Sequence, residues 1–285
     1  MKLNKDLNIL IVGLGLLGGS YAMSLKKQGY KVNAIEKEPA SLEYALENKI
    51  IDCGSDFADP KLISSADLII FALYPHIFCD WIKDNGGLIK SGTVITDVTG
   101  VKSFIIDKIN AYLGEGVEFI AAHPMAGREV CGIQNSDDRI FSGANYIVVP
   151  TEKNTPAATE LCKNLGETLG FASITELSPE QHDDMIAFLS QLTHCIAVSL
   201  MCSNSNPNLV KYTGDSFRDL TRIANINDEM WSELFLCNRE ALLKEMDSYR
   251  NSFDELYGYL KSGDREGMRK MMRLSSERRK KFNKR

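Results

Sequence analysis

The sequence predicts an α/β fold: a doubly wound parallel sheet followed by an all-helical C-terminal domain. Three observations carry this. Short apolar runs alternate with helix-like segments from residue 8 to residue 175, a glycine-patterned strand-turn-helix opens the series, and the strand signal ends at Ser178-Pro179-Glu180.

Residues 8–12 form the first apolar run, and the glycines behind it lead into a helix over 16–28. Residues 31–35 give a second strand and 41–48 a second helix. The runs 68–73, 93–96, 119–122 and 146–149 are short, apolar and bounded by turn residues, as strands covered on both faces should be. A helix over Pro156–Leu169 and a strand over 172–175 complete the sheet-forming part. Ser178 then reads as a helix N-cap, with Pro179 at the first helical position. Met185, Leu189, Leu192, Ile196 and Leu200 recur at helical spacing, so one long helix opens the second domain. Periodicity over 231–246 and 253–260 adds further helices. The boundary is placed at 177, giving domains 1–177 and 178–285.

The chain has 285 residues, 44% hydrophobic and 25% charged, which suits a globular protein with a substantial core. A net charge of -5 argues against nucleic acid or an anionic membrane as the main partner. The seven cysteines form no C-x-x-C pair and are odd in number, so reduced thiols in a cytoplasmic setting are expected, and no metal. The apolar run behind Lys2 and Lys5 resembles a secretion signal, but its glycine pattern assigns it to the strand-turn-helix. No run is expected to reach the roughly 18 to 20 apolar residues of a membrane span. The basic tail, 265–285, reads as a solvated helix end.

"ILIVGLGLLGGS" places Gly13, Gly15 and Gly18 in a G-x-G-x-x-G pattern between strand and helix. Gly13 makes the turn, Gly15 admits a pyrophosphate, and Gly18 lets helix pack on strand. Leu16 and Leu17 open a helix whose N-terminus faces the anion. Glu36 ends the second strand about 20 positions on and suits the adenosine ribose hydroxyls, which favours NAD over NADP despite Lys37 beside it. This is the Rossmann-type pattern. Leu73 and Pro75, after the fourth strand, and Asp97-Val98-Thr99-Gly100, after the fifth, should border the cofactor. His123 in "AAHPMAGRE" follows the next strand and falls at the same edge, although a buried histidine satisfied by backbone would also fit there. In the helical half, Gln191 and His194 lie three apart on a face different from the apolar stripe, and Arg222 is flanked by Leu220 and Ile223. A guanidinium there suits a two-pronged grip on a carboxylate.

The set "GLGLLGGS", "DVTGVK", "AAHPMAGRE", "SPEQHDD", "LSQLTH", "FRDLTRIA" and "EMW" resembles, in order and spacing, the prephenate dehydrogenase (TyrA) family, over residues 8 to 260. The resemblance implies an NAD-binding Rossmann domain and a helical domain that binds substrate and makes a homodimer. It implies that His123 is the catalytic histidine, that His194 and Arg222 hold substrate carboxylates, with Gln191 and Arg128 nearby, and that Glu129 stands at the site mouth. The chain departs from the family where Gly100 replaces a serine that supports the catalytic histidine, and Thr99 is expected to substitute. Gln191 stands where many members have His. The substrate implied is a dianion, prephenate, with arogenate as the near alternative. A β-hydroxyacid dehydrogenase is disfavoured because no Lys or Arg occurs between Ser178 and Val210. A non-catalytic NAD-binding module is a further alternative.

Overall fold

The computed structural model describes residues 3–128 and 130–282. Six strands form one parallel sheet: β1 (Ile9–Val12), β2 (Val32–Ile35), β3 (Cys53–Ser55), β4 (Leu68–Phe71), β5 (Val94–Asp97) and β6 (Glu118–Phe119). Helices α1 (Leu16–Lys27), α2 (Pro39–Glu47), α3 (Pro60–Ser65), α4 (Pro75–Asn85) and α5 (Ser103–Asn110) connect them. The order β3-β2-β1-β4-β5-β6 reverses between β1 and β4, where doubly wound sheets open a crevice beyond the strands' carboxyl ends. The strands are apolar throughout because both faces are covered: Ile9 and Ile11 enter one core cluster, Leu10 and Val12 the other.

The expected strand at 119–122 is divided between two sheets. Ile120 still donates its N–H to the carbonyl of Ile95. Beyond it the chain turns away, and β7 (Ala121–Pro124) pairs antiparallel with β8 (Asn145–Val149), which pairs in parallel with β9 (Ser173–Glu176). His123 therefore lies within β7, opposite Ile147, rather than after a strand of the main sheet. Helix α6 (Pro156–Leu169) joins β8 to β9, capped by the Thr155 hydroxyl and ended by Gly170 in the left-handed region.

The helical region contains α7 (Pro179–Ile186), α8 (Thr193–Cys202), α9 (Asp215–Thr221), α10 (Asp228–Cys237), α11 (Arg239–Ser262) and α12 (Arg265–Lys280). Ser178 caps α7 through a reciprocal box with Gln181. Between α7 and α8 the helix widens to a π turn over Ala187–Leu192. The extra residue in that turn rotates the predicted stripe: Leu189 faces outward, while Ala187, Gln191 and Leu192 are buried. Pro179–Cys202 is continuous over 24 residues and contains an 18-residue window of mean hydropathy 1.7, long and apolar enough to cross a bilayer, contrary to the sequence expectation. A helix covered by protein meets the same criterion. Two compact units emerge, Met1–Asn238 and Arg239–Arg285, with α7 to α10 in the first.

Candidate active site

At the carboxyl edge of β1 the backbone dictates glycine. Gly13 has φ +94°, and a Cβ there would sit 2.7 Å from the Ala72 carbonyl oxygen; at Gly18 it would sit 1.9 Å from that of Gly13. At Gly15, by contrast, a Cβ would meet nothing within 4 Å, so the turn faces open space. The N-terminus of α1 has no side-chain cap and no acid in its first turn, leaving its amides for an anion. Leu16 is part-buried in that first turn, and Leu17 packs on the core. The Glu36 carboxylate, at the end of β2, accepts from Leu14 N at 2.6 Å and from Glu38 N at 2.9 Å. It is thereby held beside the glycine turn. Leu73 lies over that turn, its Cδ2 2.9 Å from where a Gly13 side chain would begin, and Pro75 is buried at the first position of α4.

Beneath β5 and β7 lies a charged core. Lys102 and Asp97 are both fully buried, with Nζ 2.7 Å from Oδ2. Lys102 Nζ also donates to the Ala122 carbonyl at 2.6 Å, and Asp97 Oδ1 accepts from Ala122 N at 3.0 Å. Both main-chain groups of the residue before His123 are thus fixed by one ion pair. Burial pushes the Lys102 ammonium below its ordinary pKa, opposed by Asp97 and Asp183. The Thr99 hydroxyl donates to Asp97 and faces the Val101 carbonyl, 3.0 Å away. It is spent inside this cluster and does not support His123. The group on His123 is His182: Nδ1 of the first lies 2.9 Å from Nε2 of the second. His182 Nδ1 is 2.8 Å from Asp183 Oδ1, and that carboxylate also accepts from Lys102 N at 2.9 Å and Ser103 N at 2.8 Å. Burial, then each other's proximity and Lys102, holds the His123 pKa well below the ordinary value; burial does the same for His182 against the upward pull of Asp183. Asp183 is lowered: burial would raise it, but its hydrogen bonds from His182 and Ser103 prevail.

Helix α10 closes this side. Leu234 stands 3.5 Å from where a Cβ on Gly100 would be, and the same point is 4.0 Å from His123 Cε1. Trp231, one turn earlier on α10, stacks on the His194 ring at 3.6 Å between centroids. His194 and His123 thus border one face of α10. His194 Nδ1 donates to the Ser190 carbonyl at 2.8 Å. Arg222 begins a 3-10 turn packed on α8 and is exposed. The loop after β4 and the first turn of α4 are tied to α10 and its N-cap as well: His76 Nδ1 is 2.7 Å from Glu233 Oε2, and Asn227 donates to the Tyr74 hydroxyl at 3.3 Å.

Two further expectations need correction. Gln191 is 1% exposed, donating to the Leu234 carbonyl at 3.0 Å and accepting from Asn238 at 2.8 Å. Its amide is used at both ends to hold α10, because the π turn rotates it inward, and it is not presented to a ligand. Arg128 is exposed and turned toward its own loop, donating to the Asn135 carbonyl at 3.2 Å with Asp137 at 3.6 Å. Glu129 lies outside the described residues. The sequence singles out neither His182, Asp183 nor Lys102 as site residues, and places Asp97 only at the border of the cofactor. Their only signal was position within the motifs "SPEQHDD" and "DVTGVK", since nothing local marks a polar residue as buried.

Family models described as the prephenate dehydrogenase nucleotide-binding domain and dimerization domain match residues 21–175 and 178–274. The chain is 30% identical over 277 residues to a prephenate dehydrogenase of Bacillus subtilis, covering 94% of this chain and 74% of that one. It is 29% identical over 256 residues to one of Lactococcus lactis, covering 87% and 70%. Among solved structures, prephenate dehydrogenase from A. aeolicus in complex with hydroxyphenyl propionate and NAD+ aligns with a TM-score of 0.90 and 28% identity, over 99% of this chain and 100% of that one.

Proposed function

The chain belongs to the prephenate dehydrogenase family, and on that premise we propose that it catalyses the NAD-dependent oxidative decarboxylation of prephenate to 4-hydroxyphenylpyruvate in tyrosine biosynthesis. The observation that carries this reading is the placement of His123: its ring lies beside Gly100 at the carboxyl edge of β5, the edge that also bears the glycine turn and Glu36. The residues present fit a dinucleotide. The open face at Gly15 and the uncapped α1 amides suit its pyrophosphate, with Gly13, Gly18, Leu16 and Leu17 shaping the turn, Glu36 taking ribose hydroxyls, and Leu73 and Pro75 bordering it. When bound, NAD+ supplies the hydride acceptor.

His123 accepts the proton of the substrate's ring hydroxyl. That carbon gives up its hydride and becomes a carbonyl; the C–C bond to the ring carboxylate then breaks, CO2 leaves, its electron pair makes the ring aromatic, and the phenolate oxygen takes the proton back from His123. Arg222 holds one carboxylate and His194 the other, donating from a protonated Nε2 while its Nδ1–H stays on the Ser190 carbonyl, and Trp231 fixes the ring. The test is a paired assay of prephenate and arogenate with NAD+ and with NADP+. Prephenate with NAD+ should give the highest kcat/KM, and a preference for arogenate would overturn the substrate assignment.

Three outcomes follow for the site. Glu36→Gln removes a charge-assisted contact of ~1.5–3 kcal/mol, so the Kd for NAD+ should rise at least about tenfold in a fluorescence titration; an unchanged Kd removes Glu36 from the site. Arg222→Gln should raise KM for prephenate by about 30-fold, the lower end of the ~2–5 kcal/mol for a charged pair, since this residue is exposed. An unchanged KM counts against the clamp. The third is a pH profile. A histidine lowered from 6.5 stays neutral as pH falls through that value, so the proton-accepting form persists and kcat/KM should hold its plateau below pH 6.5. The unfolded chain protonates first, so stability declines as pH drops below 6.5. An acid limb centred at or above 6.5 would contradict the assignment.

A homodimer through the helical domain is part of the proposal, supported by the exposed stripe Leu243, Met246, Tyr249, Phe253, Tyr257 and Leu260 along α11. We also propose a cytoplasmic setting, consistent with seven free thiols.

A further inference from the structure

The chain lacks a side chain at 100 and spends the Thr99 hydroxyl on Asp97, yet the His123 ring is held, by a second histidine and through it a carboxylate. The protons in this series follow from what each group is able to do. An ionised carboxylate only accepts, and Asp183 already accepts two main-chain N–H groups at the start of α5, so the proton between it and His182 sits on His182 Nδ1. A neutral His182 then has a bare Nε2. The hydrogen bond at 2.9 Å is donated by His123 Nδ1–H, which leaves Nε2 of His123 as the lone-pair nitrogen.

We propose that His182 and Asp183 are positioning residues for the oxidation: they fix His123 in the Nδ1–H tautomer and turn its Nε2 to the substrate hydroxyl. This deepens the proposed function and rests on His123 being the proton acceptor there. The charged groups facing the pair are Lys102, Asp97 and Asp183. Lys102 is paired with Asp97, so the cation nearest the two rings disfavours a second positive charge on either of them. Gly100 supplies an independent check. A Cβ there meets only Leu234 at 3.5 Å and His123 at 4.0 Å, ordinary contact distances, so a serine fits beside the ring and offers a hydroxyl in place of His182.

Asp183→Asn leaves one oxygen where two accept now, Oδ1 from Lys102 N and the His182 ring and Oδ2 from Ser103 N. With the amide nitrogen in the Oδ1 place, Asn donates to His182 Nδ1 rather than accepting, and the lost Lys102 N–H bond, a capping effect, is read apart as a lower urea midpoint. The series reverses: His182 donates from Nε2, His123 accepts at Nδ1, and His123 Nε2 carries the proton. The expected result is kcat reduced by about 100-fold or more with KM within about twofold, since a positioned base contributes ~100- to 10,000-fold. Nitrogen-15 NMR of the histidine rings should give Nδ1–H for His123 in the wild type and Nε2–H in Asp183→Asn. His182→Ala should lose kcat likewise, and Gly100→Ser added to it should restore part of the loss. A wild-type His123 carrying its proton on Nε2, or Asp183→Asn with unchanged kcat and tautomer, overturns the proposal. Should the wild type oxidise neither prephenate nor arogenate, the functional reading fails on its own, and the wild-type ring tautomer still decides this one.

Discussion

His123→Asn is expected to lower turnover by about 100- to 10,000-fold while leaving NAD+ affinity unchanged. The expectation follows from what Asn keeps and what it lacks. Its amide can donate to His182 Nε2 as the ring's Nδ1–H does, so the strand end and its partners stay in place. It has no nitrogen that takes up a proton near neutral pH. The glycine turn and Glu36 belong to β1 and β2, on the far side of β4 from β5, and feel nothing of the change. Steady-state kinetics beside an NAD+ titration checks it. Near-normal turnover would remove His123 from the chemistry, and lost NAD+ binding would make its role structural.

The largest effect on stability is expected from Lys102→Met. The substitution keeps most of the volume but strips the counter-charge from Asp97, which is 0% exposed. An unpaired charge at such depth costs ~3–5 kcal/mol. That is a large share of the ~5–15 kcal/mol by which a folded domain exceeds its unfolded state. The loss should appear as a lower urea midpoint for the unit that ends at Asn238. Adding Asp97→Asn removes the orphaned charge and should recover part of it. Activity should fall as well, because the same Nζ holds the Ala122 carbonyl next to His123. A midpoint equal to that of the wild type would mean that water or a main-chain shift compensates Asp97.

What was legible in the sequence was what is decided locally. Gly13 and Gly18 are demanded by a left-handed turn and by a close approach of helix to strand, both set within a dozen residues. Ser178 and Pro179 announced the start of α7 for the same reason. The ends of strands could be ordered along one edge, which brought Glu36, Thr99 and His123 to one side of the sheet. The partners of polar side chains could not be read. Thr99 was expected to support His123, but its hydroxyl sits beside a buried Asp97 that only the packing of Lys102 makes available. Gln191 was expected near substrate from the family resemblance, on a face that a uniform helix places off the apolar stripe. A single π turn reverses that, and no residue type marks such a turn. His182 sits in a stretch that looks solvated, and it is buried because Asp183 reaches across to the amides of α5. The strand holding His123 left the main sheet for a related reason: pairing with β8 is a choice between distant segments.

The account turns on whether the imidazole at 123 and the guanidinium at 222, carried by β7 and by the turn packed on α8, serve a single pocket. A crystal structure of this chain with NAD+ and hydroxyphenylpropionate measures that directly. The predicted result has His123 Nε2 within hydrogen-bond reach of the ligand's phenolic oxygen and Arg222 on its carboxylate, with Glu36 on the adenosine ribose. A ligand bound elsewhere, or seated there with either side chain turned away, would contradict it.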